Sequence, residues 1–156
     1  MTRRTGRRML KINKNKGKVF RFATHVNEFL IPREKTSSSE TFLVVIEPDK
    51  STHLHKHEEM EQTFYVTKGK GEVWTVSDAK DRLARDCRIR RGDVLFVPVD
   101  TWHQVKCTSK GSLEYICFNA FPRGFPQKEK SSLAHARKVV QRQKVQQRTL
   151  DRPGMK

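Results

Sequence analysis

Short runs of β-branched and aromatic residues, separated by turn residues, dominate the middle of the chain. Eight such runs fall between residues 41 and 118, with turns such as Lys68-Gly69 and Arg91-Gly92 between them. In chain order they are TFLVVIE, STHLHKH, QTFYVTK, GEVWTVS, CRIR, DVLFVP, WHQVKC and LEYICF. Many short strands at close spacing predict an all-β protein, built as an antiparallel barrel or sandwich.

Both ends of the chain differ from this middle part. Residues 1–18 have no sustained apolar period, and the chain is expected to become ordered near residues 19–22. The segment FPRGFP at 121–126 interrupts the strand pattern. After Ser131-Ser132, the segment 133–150 lacks Gly and Pro and is rich in helix formers, which predicts a helix with a thin apolar stripe, docked lightly or not at all. The predicted organisation is a flexible basic arm at 1–18, a barrel at 19–126 and a basic helical tail at 127–156.

The net charge of +16 is concentrated at the two ends. Residues 1–22 contain nine basic side chains and no acid, and residues 126–156 contain nine basic side chains and two acids. The remaining 15 basic and 15 acidic residues balance each other. The sequence therefore predicts a neutral domain with two basic extensions that could bind nucleic acid or another polyanion, although no nucleic-acid-binding motif is readable.

Apolar runs and cysteines bear on the compartment. No apolar run approaches the roughly 20 residues that span a bilayer, so no membrane association is expected. No hydrophobic stretch follows the N-terminal arginines, which argues against a secretory signal; the arm does share some features of an organelle-targeting peptide. Three cysteines without Cys-x-x-Cys spacing indicate a reducing compartment. We expect a cytoplasmic protein, with organelle targeting as the alternative.

Three histidines at a spacing of two form the first candidate site. His53, His55 and His57 lie in one predicted strand, where alternate side chains point to the same face. Imidazoles from one strand, together with ligands from neighbouring strands, can build a metal site inside a barrel. A solvated, histidine-rich strand is the alternative interpretation of this segment alone.

A second segment, GDVLFVPVDTWHQVKC, places His103 at the start of a later strand. The two segments resemble the paired motifs of the cupin superfamily over roughly residues 41–120. His55, His57 and Gly69 match the first motif, and Gly92, Pro98 and His103 match the second. The departures from the pattern are Asp49 and Asp100 in place of glycines and Cys107 in place of an asparagine. The resemblance implies a double-stranded β-helix, or jelly-roll barrel, with one divalent transition metal on His55, His57 and His103.

The usual fourth ligand of this family is a glutamate, and here its position is altered. Counting residues back from Gly69 gives Gln62 at the glutamate position of the motif, whereas counting residues on from His57 gives Glu61 at that position. Gln62 shares strand parity with Phe64 and Val66, so it is expected to face the metal as a weak ligand or as a hydrogen-bond partner of the ligands. Glu61 is the alternative, because a bulge could reverse the parity. If His53 and His55 were instead the two histidines of the motif, Met60 would fall near the glutamate position, and a methionine cannot serve as the acidic ligand.

Three functions remain open at this point. The resemblance implies a metal-dependent enzyme of the dioxygenase, isomerase or lyase type acting on a small polar molecule. The alternatives are a non-catalytic cupin that binds or senses a small ligand, and a polyanion-associated protein that uses its basic tails. The sequence does not distinguish Fe, Mn, Zn, Ni and Cu.

A homodimer is expected, formed when an extended segment near 17–31 completes the sheet of a second copy. The candidate pocket residues are His53, Phe64, Phe96, Trp102, Cys107 and Tyr115.

Overall fold

The computed structural model describes residues 9–76, 84–126 and 132–150, with side chains up to residue 142. These described residues form nine strands, one 3-10 turn at Arg33–Lys35 and one helix. The strands are β1 (Lys18–Arg21), β2 (Val26–Ile31), β3 (Ser39–Ile46), β4 (Glu61–Lys68), β5 (Lys70–Val76), β6 (Ala84–Arg90), β7 (Val94–Val97), β8 (Trp102–Cys107) and β9 (Leu113–Ala120), and the helix is α1 (Ser132–Leu150).

The strands form two antiparallel sheets. The larger sheet has the order β1-β2-β3-β9-β4-β7, and the smaller has the order β6-β5-β8. Alternation between the interior and the outer face is clear on β4, where Gln62, Phe64 and Val66 are buried, whereas the residues between them face outward. Inward apolar side chains from both sheets form one core. This arrangement confirms the predicted all-β, jelly-roll class.

The segment STHLHKH was predicted as a strand, and the structure shows a more irregular path. It makes two isolated bridges, Ser51 with Lys106 and His55 with His103. The backbone N–H of Thr52 also donates to the carbonyl of Val105 at 2.9 Å. The segment thus lies along β8 without a continuous ladder.

The N-terminal segment pairs within its own chain. Strand β2 pairs with β3 between Val26 and Ile31, and β1 pairs with β2. The expectation that residues 17–31 complete the sheet of a second copy is therefore wrong for β2, which already has a partner on each side.

Tight turns explain two of the departures from the cupin pattern. Asp49 and Asp100, which stand where the motifs have glycine, adopt positive φ values of 60° and 58°. Aspartate is among the few residues other than glycine that tolerate this left-handed conformation. Gly69 has φ of 80°, and a side chain there would approach the carbonyl oxygen of Ser112 to 2.5 Å. The backbone geometry of the motif is therefore kept although two of its glycines are not.

Helix α1 packs firmly on the barrel at its N-terminal end. Leu133 and Ala136 are 7% and 1% exposed and belong to the core, with Val140 packed against it. The expectation of light docking is wrong for this part of the helix, because its thin apolar stripe is matched by an open end of the barrel. Among the described residues, no helix is both long and apolar enough to cross a membrane.

Candidate metal centre

Backbone pairing brings the two histidine segments together. The N–H of His55 donates to the carbonyl of His103 at 3.1 Å, and the N–H of His103 donates back at 2.8 Å. Their imidazole centroids lie 4.4 Å apart, and that of His57 lies 4.9 Å from His55 and 5.7 Å from His103. The possible ligand atoms of the three residues all lie within 4.8 Å of one another. Ligands of one ion with bonds of about 2.0–2.1 Å lie up to about 4 Å apart, so small side-chain rotations suffice to close the site.

Hydrogen bonds to the backbone orient two of the rings. Nδ1 of His55 lies 2.7 Å from the carbonyl oxygen of His53, and Nδ1 of His103 lies 2.8 Å from that of Thr101. A carbonyl oxygen only accepts, so each Nδ1 carries the proton and each Nε2 keeps its lone pair. Nε2 of His57 and of His103 is buried, and neither has a hydrogen-bond partner among the described atoms. Buried, unpartnered ring nitrogens in a group of three histidines whose possible ligand atoms lie within 4.8 Å of one another fit a bound metal ion.

The same surroundings keep these rings neutral. Burial, followed by the proximity of His55 and His103, lowers the pKa of His57 to about 3. Burial and the neighbouring His55 lower the pKa of His103 to about 4, and burial also lowers the pKa of His55. Metal ions bind the neutral form of imidazole, so the ligands do not need to lose a proton at neutral pH.

Gln62 lies beside the histidines and Glu61 does not. The Gln62 side chain is 5% exposed and lines the same cavity, whereas Glu61 is half-buried and lies outside the lining. Nε2 of Gln62 donates to Oδ1 of Asn119 at 3.0 Å, and its Oε1 is buried without a described partner. Of the two candidates for the glutamate position, the one that lines the cavity is therefore an amide, and its oxygen has no described partner.

The histidines line a cavity of about 720 Å³ between the sheets. Three of the predicted pocket residues are in its wall: His53, Phe64 and Tyr115. His25 and His135 line it as well, so all six histidines of the chain surround one cavity. Sequence reasoning missed His25, Asn27, Asn119 and His135. Of these, only Asn119 carried a usable signal, since its parity on β9 is inward.

Three predicted pocket residues lie elsewhere. Phe96 is 55% exposed on β7 and lines a separate depression of about 460 Å³ that also reaches His103. Trp102 points away from His103 by strand parity, with Nζ of Lys56 5.9 Å from its ring. Cys107 has inward parity, but it lies at the far end of β8, fully buried, with Sγ 3.3 Å from the Gly111 carbonyl oxygen. The predictions for Trp102 and Cys107 therefore do not agree with the structure.

An antiparallel jelly-roll barrel with three inward histidines on its paired motifs is the arrangement of a cupin. The family model described as "Cupin domain" matches residues 42–119, and the chain belongs to this family. No curated protein sequence matches the chain.

Solved structures show the same fold. A Thermotoga maritima protein described as a predicted oxalate decarboxylase aligns with a TM-score of 0.61 and 19% identity, over 72% of this chain and 99% of that one. The Drosophila melanogaster CENP-C cupin domain aligns with a TM-score of 0.57 and 13% identity, over 68% of this chain and 72% of that one. A Lactobacillus farciminis oxalate decarboxylase formate complex aligns with a TM-score of 0.59 and 18% identity, over 70% of this chain and only 32% of that one. The present chain thus spans about a third of the Lactobacillus enzyme.

Proposed function

We propose that this cupin is a metal-dependent enzyme acting on a small anionic molecule, with a divalent ion held by His55, His57 and His103. One observation carries the proposal: the three rings converge in the wall of an interior cavity, with two buried Nε2 atoms that lack partners. Fe, Mn, Zn, Ni and Cu all remain compatible with this ligand set. When bound, such an ion acts as a Lewis acid on a substrate oxygen or lowers the pKa of a bound water.

The charge of the cavity favours an anionic ligand. Neutral histidines and the amide of Gln62 leave the charge of a bound ion uncompensated. Among the described residues that line the cavity, none is an aspartate or a glutamate. Lys56 also lines it, and its Nζ is paired with Asp100 at 3.0 Å. The net charge of the loaded cavity would therefore be positive, which attracts carboxylate-bearing molecules.

The walls of the cavity would orient such a ligand. Phe42, Phe64 and Tyr115 supply apolar surface, and Oδ1 of Asn27 is buried there without a described partner. Burial raises the pKa of Tyr115 well above its usual value, so its hydroxyl stays protonated as a donor. A neutral ligand set favours reactions in which a substrate oxygen is polarised, of the lyase or isomerase type, and a dioxygenase is the other enzymatic candidate.

Turnover by the metal-loaded protein tests this proposal. The protein, loaded separately with Mn, Fe or Zn, is incubated with oxalate and a set of 2-hydroxy and 2-oxo carboxylates. Product is followed by NMR and oxygen by an electrode. We expect at least one acid to be converted without oxygen uptake, with the rate falling at least about 100-fold in His103→Ala. Conversion that consumes oxygen would instead assign a dioxygenase, and binding without conversion would support the non-catalytic alternative.

The basic tails do not enter this proposal. The polyanion-binding alternative rests on residues 1–18 and 127–156, of which 1–8, 127–131 and 151–156 lie outside the described residues. Within the described part, Nζ of Lys14 is paired with Oε2 of Glu114 at 2.8 Å. Cys107 and Cys117 are buried, free thiols, which is consistent with the cytoplasmic setting that we propose.

We also propose that two copies associate through the outer face of the larger sheet. Four large apolar side chains are exposed there, Tyr65, Val94, Phe96 and Phe118. Phe96 and Phe118 flank Thr63 on the two neighbouring strands. This patch lies in the middle part of the chain, where basic and acidic residues balance each other. Two copies can therefore bury the patch without bringing their basic tails together.

Substitution in this patch tests the dimer. We expect the wild-type protein to be dimeric by sedimentation at 50 μM and Phe96→Asp to be monomeric, because an aspartate buried between two copies has no partner. Val19→Asp, at an exposed apolar residue of the edge strand β1, is the matched control and should remain dimeric. A monomeric wild-type protein, or dissociation by Val19→Asp alone, would contradict this assignment.

A further inference from the structure

Three inward polar side chains form one row across the larger sheet. Glu40 on β3 is opposite Asn119 on β9, and Asn119 is opposite Gln62 on β4. They are 0%, 1% and 5% exposed. Buried polar groups need hydrogen-bond partners, and here they supply part of them to one another, whereas Oε2 of Glu40 and Oε1 of Gln62 are buried without a described partner.

The chemistry of Glu40 fixes the direction of these hydrogen bonds. A carboxylate oxygen only accepts, and Oε1 of Glu40 lies 3.9 Å from the guanidinium of Arg33. Nδ2 of Asn119 therefore donates to Oε1 of Glu40, at 3.1 Å. This places Oδ1 of Asn119 on the opposite side, toward Gln62.

The next amide follows the same logic. Oδ1 of Asn119 accepts from Nε2 of Gln62 at 3.0 Å and from Sγ of Cys117 at 3.2 Å. Burial raises the pKa of the Cys117 thiol, so this group stays protonated and acts as a donor. Since Nε2 of Gln62 is committed to Asn119, its Oε1 is the amide atom left for the histidine cavity that Gln62 lines, and this oxygen is buried without a described partner.

We propose that Glu40 is a positioning residue that acts through Asn119 to hold the carbonyl oxygen of Gln62 toward the metal position. This inference rests on the proposed function. It also explains the departure at position 62: the acid expected beside the histidines is present in the row, but two strands away. If position 62 were a glutamate while Glu40 was kept, Asn119 would lie between two carboxylates that only accept hydrogen bonds. Its single amide nitrogen would then have to donate to both of them, on opposite sides.

Exchange of the two functional groups is the decisive experiment. Gln62→Glu, Glu40→Gln and the double variant are compared with wild type by thermal unfolding in excess chelator. Gln62→Glu should lower the Tm of the metal-free protein by at least about 5 °C, because Asn119 then faces an acceptor on each side. Glu40→Gln in the same chain lets Asn119 turn over, and we expect the double variant to recover to within about 3 °C of wild type.

Cobalt binding reports on the site itself. In Glu40→Gln alone the Asn119 amide is no longer oriented, and we expect Co²⁺ affinity to fall several-fold with a changed visible spectrum. The double variant should bind Co²⁺ at least about tenfold more tightly than wild type, because a carboxylate then lies beside the histidines. Ser132→Ala removes the hydroxyl of α1 that donates to Glu40, and it should leave Co²⁺ affinity within twofold.

The two measurements separate this inference from the proposed function. If the shifts in Tm of the two single variants simply add, or if the double variant does not fold, then Glu40 does not orient Gln62. If Ser132→Ala lowers Co²⁺ affinity as much as Glu40→Gln does, then the role of Glu40 is to hold helix α1 and not to orient Gln62. Failure of the wild-type protein to bind Co²⁺ would sink the metal site, whereas the comparison of metal-free stabilities would still test the row.

Discussion

Replacing His103 with alanine is expected to abolish stoichiometric binding of a divalent metal ion while the barrel still folds. His103 is the ligand that comes from the second motif, and its backbone pairing with His55 sets the spacing of the whole site. Without it, two imidazoles remain on a single irregular segment, and the affinity should fall by at least about 100-fold, or about 3 kcal/mol. Elemental analysis of protein purified without a histidine tag, followed by Co²⁺ titration, measures this loss.

His53→Ala is the matched control for His103→Ala. His53 lines the same cavity and lies two residues from His55, but it is exposed and outside the group of three. Its backbone carbonyl, which accepts from His55, is kept in the variant. We expect its metal content to match wild type. Equal metal content in wild type and His103→Ala would refute the site, and equal losses in both variants would indicate nonspecific binding by histidines of the cavity.

The sequence was most informative where strand period and motif spacing agree. Alternation on β4 placed Gln62 and Phe64 inward, and the structure has this parity. The same rule failed to predict the surroundings of Phe96, because a short edge strand with apolar residues on both faces has no clear inward side. Parity also says nothing about depth along a strand, so it does not distinguish Cys107, which is inward but distant from His103, from a pocket residue.

Contacts between remote segments could not be predicted. His25 and His135 have no spacing relation to the two motifs, and they reach the cavity because a hairpin and a helix fold over the same end of the barrel. The row from Glu40 to Gln62 depends on the register of β3, β9 and β4, which no local pattern fixes. A buried glutamate is also improbable before its partners are known, since an unpaired carboxylate is costly to bury.

Acid is expected to destabilise the metal-free protein well above the pH at which most carboxyl groups titrate. The pKa values of His57 and His103 are lowered from 6.5 to about 3 and about 4 in the folded state. Below pH 6.5 the unfolded chain takes up protons at these positions and the folded protein does not, so stability falls as the pH falls. At pH 5 each histidine accounts for a loss of about 2 kcal/mol relative to pH 7.5.

Urea unfolding in excess chelator at pH 7.5 and at pH 5.0 measures this effect. We expect the free energy of unfolding to be lower by at least roughly 4 kcal/mol at the lower pH, because burial also lowers the pKa values of His25 and His55, which add to the contribution of His57 and His103. His103→Ala removes one of these groups, so its stability should change by about 2 kcal/mol less over the same interval. A wild-type protein equally stable at both pH values would show that the rings are not held neutral, and the preformed ligand set would then lose its physical basis.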